Sequence, residues 1–111
     1  LRLRIRVVGI SGDALGPGKA QLLEEVARTG SLRVAAVNLE MSYMKAWRLA
    51  KAMNENFRQP LLETSRGGSH RGGTQLTESG HQVLAAYHRI TRRADQAARK
   101  EWKSLAGLLK S

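Results

Sequence analysis

Cysteine is absent from the 111 residues, which excludes disulfide staples and cysteine-ligated zinc centres. Aromatic side chains make up only 5% of the chain, so leucine, valine and alanine must fill whatever core its 41% of hydrophobic residues build. No apolar run approaches the ~20 residues of a membrane-spanning helix, and no stretch has the pattern of a secretion signal. A cytoplasmic chain without a membrane partner is therefore expected. Leu1 in place of an initiating Met is read as the loss of preceding residues. Acidic residues are scarce as well: 9 Asp plus Glu face 19 Lys plus Arg, for a net charge of +10. A field of that sign draws polyanions.

The length suits one domain over residues 1–111. Leu1, Leu3, Ile5 and Val7 alternate with Arg2, Arg4 and Arg6, which predicts a strand over 1–10 whose arginines share the solvent face. After a turn at Gly16-Pro17-Gly18, three helices are expected across 18–57. Leu22, Leu23 and Val26 line the first, which stops near Gly30. Ser31 caps the second, with Leu32, Ala35, Ala36 and Leu39 inward; Ser42 caps the third, with Ala46, Leu49, Ala50, Met53 and Phe57 inward. Pro60 forbids its continuation.

Residues 61–76 read as a hairpin around Gly67-Gly68-Ser69-His70-Arg71-Gly72-Gly73. Thr77 then caps a long helix over 77–109. Its stripe of Val83, Leu84, Tyr87, Ile90, Ala94, Ala98, Trp102 and Leu105 is longer than so small a domain can cover, which predicts a second copy as its partner. The fold class is mainly α with a small β component: a winged helix-turn-helix with an N-terminal strand and a long C-terminal dimerisation helix.

The decisive element is the pair of helices at 31–57, joined by a turn too short for an antiparallel hairpin, the second longer and more basic. With Ala46, Leu49 and Met53 inward, Met44, Lys45, Arg48, Lys51 and Glu55 point outward. Side chains near the start of such a helix reach base edges in the major groove, and Arg48 has the fork that addresses a guanine. The candidate DNA-binding set is Ser42, Tyr43, Met44, Lys45, Arg48 and Lys51 from this helix, with Arg66, His70 and Arg71 from the glycine-rich wing. Tyr43 divides evenly between packing and phosphate contact, and Trp47 is expected to pack at the helix edge. The implied partners are double-stranded DNA and a second copy of the chain.

Gly18-Lys19-Ala20 with Leu22-Leu23, Gly30-Ser31, Ala35-Ala36, Met41-Ser42-Tyr43, Ala46-Trp47, Met53-Asn54, Pro60-Leu61, the paired wing glycines and Leu76-Thr77 with Gly80 carry a resemblance. Over about residues 3–90 the chain resembles the N-terminal domain of the molybdate-responsive ModE family of regulators, and more distantly the LysR-type DNA-binding domains. The resemblance implies a homodimeric regulator that binds promoter DNA in a sequence-specific way. It also implies that oxyanion sensing belongs to a separate C-terminal domain, so no small-molecule effector is assigned to these residues: the chain is either a DNA-binding piece or a regulator standing alone. Two positions depart from the family pattern. Glu40 stands where the turn between the helices usually has glycine, and Met44 stands where a basic residue is common.

No catalytic constellation or cofactor site is legible. His81 and His88 share a helix face without a third ligand, and the glycine-rich loop lacks the Gly-Lys-Ser/Thr ending of a phosphate-binding loop. Two non-enzymatic alternatives remain open from sequence: a protein-interaction or assembly module, and a sequence-tolerant nucleic-acid binder.

Overall fold

A computed structural model describes residues 1–64 and 73–110. The element order is β1 (Val7–Gly9), β2 (Gly12–Leu15), α1 (Pro17–Thr29), α2 (Leu32–Asn38), α3 (Tyr43–Asn56), β3 (Leu62–Thr64), β4 (Thr74–Leu76) and α4 (Glu78–Ala106). The strands form two separate antiparallel pairs, β1 with β2 and β3 with β4.

The N-terminal strand expected over 1–10 is corrected in two ways. Only Val7–Gly9 is strand, and it folds back onto β2, whose Gly-Asp-Ala-Leu sequence carries no strand signal of its own. Ile5 and Val7 do pack on the core, whereas Leu1 and Leu3 are exposed because no partner strand reaches them. The arginine row is solvent-facing as expected, and Arg6 lies 3.6 Å from Asp13 across the hairpin. A Cβ on Gly9 would collide with the Asn56 side chain, whose Oδ1 accepts from the Ser11 amide at 3.1 Å. The hairpin is thereby docked on the C-terminal end of α3.

Each helix begins and ends where local chemistry dictates. Pro17 opens α1, where its missing N–H costs nothing, and Gly30 closes it at φ 71. Ser31, Ser42 and Thr77 cap α2, α3 and α4, their hydroxyls accepting from the amides of Val34, Lys45 and Gly80 at 3.0, 3.1 and 3.0 Å. The inward faces of α1, α2 and α3 meet in a core whose largest fully buried side chains are Leu15, Leu22, Leu23, Val26, Met53 and Leu61. Burial of Leu32, Ala35 and Ala36 on that core, the leucine alone worth ~1.5–3 kcal/mol, holds α2 in a helix too short to be stable by itself.

The first turns of α4 close this core through Leu84 and Tyr87. Gly80 is required there, because a Cβ would run into the Leu61 carbonyl. The Tyr87 hydroxyl donates to the Ile5 carbonyl at 2.7 Å and fixes the start of the chain across α4. Burial pushes this phenol above its usual pKa, against a smaller opposing pull from Arg4. The remainder of the 29-residue helix leaves the core and gives the molecule extents of 56 × 30 × 22 Å. The helix is shorter than the expected 77–109, ending at Ala106 with turns through Leu108 and Leu109.

Candidate nucleic-acid interface

The turn between α2 and α3 fixes the angle of the helix pair. Met41 N–H donates to Ala36 O at 3.0 Å and Glu40 N–H to Val37 O at 3.1 Å, the paired bonds of a Schellman ending. Glu40 occupies the left-handed position at φ 56, the only non-glycine at positive φ among the described residues. The glycine-like turn is thus kept in shape, and Glu40 bears the strain. Met41 packs against the core just before the Ser42 cap. A second lock joins α1 to α2: the Glu25 carboxylate accepts from Arg28 at 2.6 Å and from Asn38 Nδ2 at 2.9 Å, bonds that hold it below the usual carboxylate pKa.

With Ala46 and Met53 buried, α3 presents Ser42, Tyr43, Met44, Lys45, Arg48 and Lys51 to solvent. Lys45 and Arg48 make no ion pair among the described residues. Lys51 is partly engaged, 3.9 Å from Glu55 and 5.4 Å from the centre of the Trp47 ring. Arg66, His70 and Arg71 lie outside the described residues.

The expected edge packing of Trp47 is corrected. The ring is 44% exposed and lines a groove of about 770 Å³ between the helix pair and the base of the wing. Arg33, Tyr43, Lys51, Thr64 and Thr74 share its walls, together with the carboxylates of Glu55 and Glu63.

Two residues escaped sequence reasoning. The Arg33 guanidinium lies 4.5 Å from the centre of the Tyr43 ring, a cation–π contact that joins the first turn of α2 to the first turn of α3. Its place beside the Ser31 cap was the available signal. Asn54 accepts from the amides of Leu61 and Leu62 at 2.8 and 3.1 Å and donates to the Leu62 carbonyl at 3.1 Å. It thereby ties β3 to α3, while the Thr74 amide ties β4 to the Gly30 carbonyl at 3.0 Å. Both feet of the wing are fixed to the helices.

Residues 18–81 match the model of a family described as bacterial regulatory helix-turn-helix protein, lysR family. The chain belongs to that family. Its fold is the winged helix-turn-helix of lysR-family DNA-binding domains: it superposes on the DNA-binding domain of CbnR, solved as a complex with DNA, with a TM-score of 0.62 at 25% identity, covering 79% of this chain and 95% of that one. Among curated relatives it is 37% identical over 83 residues to the transcriptional regulator ModE of Haemophilus influenzae, covering 75% of this chain and 32% of the relative. It is 38% identical over 79 residues to the molybdenum transport protein ModE of Azotobacter vinelandii, covering 71% and 29%. The lysR-family chain thus spans about a third of the length of these relatives. Both the ModE resemblance and the wider LysR likeness read from the sequence are met, and the names of the family and its relatives are those of regulatory and transport proteins, not enzymes.

Proposed function

We propose that this chain is a sequence-specific, double-stranded-DNA-binding transcription regulator of ModE type that acts in the cytoplasm as a homodimer. The observation that carries the reading is α3 itself. Its apolar side is sealed into the core, while Ser42, Lys45 and Arg48 stand exposed on the side its short turn leaves open, the two cations without a carboxylate partner among the described residues. In this reading α3 enters a major groove, Arg48 forks onto a base edge, Ser42 and Lys45 hold phosphates, and the wing at 66–73 touches flanking backbone through Arg66, His70 and Arg71.

The second copy is called for by α4. Beyond the core its apolar stripe continues through Ile90, Ala94, Ala98, Trp102 and Leu105, with Ile90 48% and Leu105 54% exposed. Pairing of two such helices removes that surface from water at ~25 cal/mol per Å² and sets two α3 helices about one duplex turn, roughly 10 bp, or a multiple apart. The name of the Azotobacter relative points to molybdenum, but nothing in these residues argues for an oxyanion site, and none is proposed.

The test is operator selection from genomic fragments, followed by binding measurements with the Arg48→Ala variant. Removal of a bidentate interaction worth ~1–3 kcal/mol predicts a roughly 5- to 150-fold weaker affinity for the selected site, with little change on random duplex. Unchanged affinity and unchanged selectivity would remove α3 from base reading.

A further inference from the structure

The outer side of α4 carries a cationic surface that the reading of α3 does not use. Arg89, Arg92, Arg93, Arg99, Lys100 and Lys103 are all exposed. At 3.6 residues per turn they fall within about 120° of arc, opposite the stripe that holds Tyr87, Ala94, Ala98 and Trp102. Between Arg89 and Lys103 every residue in that arc is a cation except Gln96. The surface runs about 21 Å along the helix at 1.5 Å per residue. Asp95, 3.9 Å from Arg99, sits at its margin, and the other five cations make no ion pair among the described residues.

This spacing works against the free helix. Arg89 with Arg93 and Arg99 with Lys103 are like charges at i,i+4; Arg89 with Arg92 and Lys100 with Lys103 are like charges at i,i+3. Each such pair is repulsive on a helix surface. A polyanion laid along the face turns the repulsion into attraction and releases its own counterions. The geometry points to duplex DNA as that polyanion. We infer that the outer face of α4 is a second, sequence-independent DNA-binding surface, able to hold a duplex segment other than the one read by α3. A protein partner fits less well, because interfaces between proteins are anchored by aromatic or apolar side chains at their centre and this arc has none. A duplex asks only for a line of cations matched to a phosphate line carrying one charge per ~1.7 Å of axis.

The test uses the full chain and the triple variant Arg92→Gln/Arg93→Gln/Lys100→Gln, whose replacements keep helix propensity near that of the originals. Its thermal melting, followed by circular dichroism, should be unchanged or raised, since like-charge pairs are relieved. On a random duplex the slope of log affinity against log salt should fall by about 0.9 for each phosphate no longer neutralised, up to roughly 2.7 per chain. Capture of a labelled second random duplex by protein held on an immobilised duplex should fall at least tenfold. An unchanged slope with unchanged capture overturns the inference. Unchanged duplex binding with loss of binding to polyglutamate also overturns it, and assigns the face to an acidic protein. The triple variant also separates the two surfaces: whatever preference the unaltered protein has for a selected site over random duplex, the variant should keep it, because α3 is untouched.

Discussion

Replacing Glu40 with glycine should stabilise the protein, because the turn of the helix pair holds a side chain in a backbone region that favours none. Glu40 sits at φ 56, with its amide and that of Met41 committed to the carbonyls of Val37 and Ala36. A non-glycine residue there costs roughly 1–2 kcal/mol. Glycine removes that cost but gives up roughly 0.5–1 kcal/mol of chain entropy. The side chain is exposed and makes no ion pair among the described residues, so little packing goes with it. The net expectation for Glu40→Gly is about 0.5–1 kcal/mol of added stability, or roughly 2–4 °C in Tm. Charge needs its own control: a carboxylate at the end of α2 is repelled by that helix's dipole but attracted by the start of α3. Glu40→Gln removes the charge and keeps the strain, while Glu40→Asn introduces a residue that tolerates the left-handed region. Urea unfolding followed by circular dichroism should rank Gly and Asn above Gln, with Gln near the original. A glutamine variant as stable as the glycine variant would transfer the effect from strain to charge, and a destabilised glycine variant would refute the strain account outright.

Two further perturbations test the joints of the fold. Asn54→Leu strips the buried start of β3 of three hydrogen bonds and should cost about 2–3 kcal/mol in urea unfolding, whereas Asn54→Asp keeps both acceptor bonds and should recover about half of the loss. Tyr87→Phe should cost about 1 kcal/mol at pH 8 by leaving the Ile5 carbonyl short of a donor. Since the folded phenol holds its proton more tightly than the unfolded one, the Tyr87 contribution is complete below about pH 10 and is lost as pH rises through the folded-state value, so the two proteins should differ less in stability at pH 11 than at pH 8.

The helical part of this fold was legible because it is written in signals that act locally. Ser31, Ser42 and Thr77 cap, Gly30 and Pro60 stop, and the apolar spacing of α3 and α4 marks which side faces inward. The β2 strand was not legible, since Gly12, Asp13, Ala14 and Leu15 acquire strand geometry only by pairing with β1 and burying Ala14 and Leu15 in the core. The surroundings of Trp47 were hidden for a similar reason. Periodicity places it at the border of the buried stripe, and only the placement of the start of α2 and of the wing base around it makes that border a groove. Asn54 and Arg33 act across elements, on residues seven to ten positions away that no helical period predicts.

The same structure separates aim from attraction. Lys45 and Arg48 supply α3 with cations that make no ion pair among the described residues, but Lys51 is partly neutralised by Glu55, and the groove beside it contains Glu55 and Glu63. A net charge of +10 cannot reside on that helix alone. Much of it lies on Arg2, Arg4 and Arg6 and on the outer side of α4, outside the helix pair. Sequence-independent attraction scales with the number of phosphates neutralised, and discrimination with the few side chains that reach base edges. Orientation is set by neither group of cations: Glu40 sets the angle of α3, Asn54 and the Gly30 carbonyl set the wing against it, and Tyr87 holds the first residues to α4. Changes at these joints should therefore alter selectivity between sites more than they alter the salt dependence of binding, and changes along α4 the reverse.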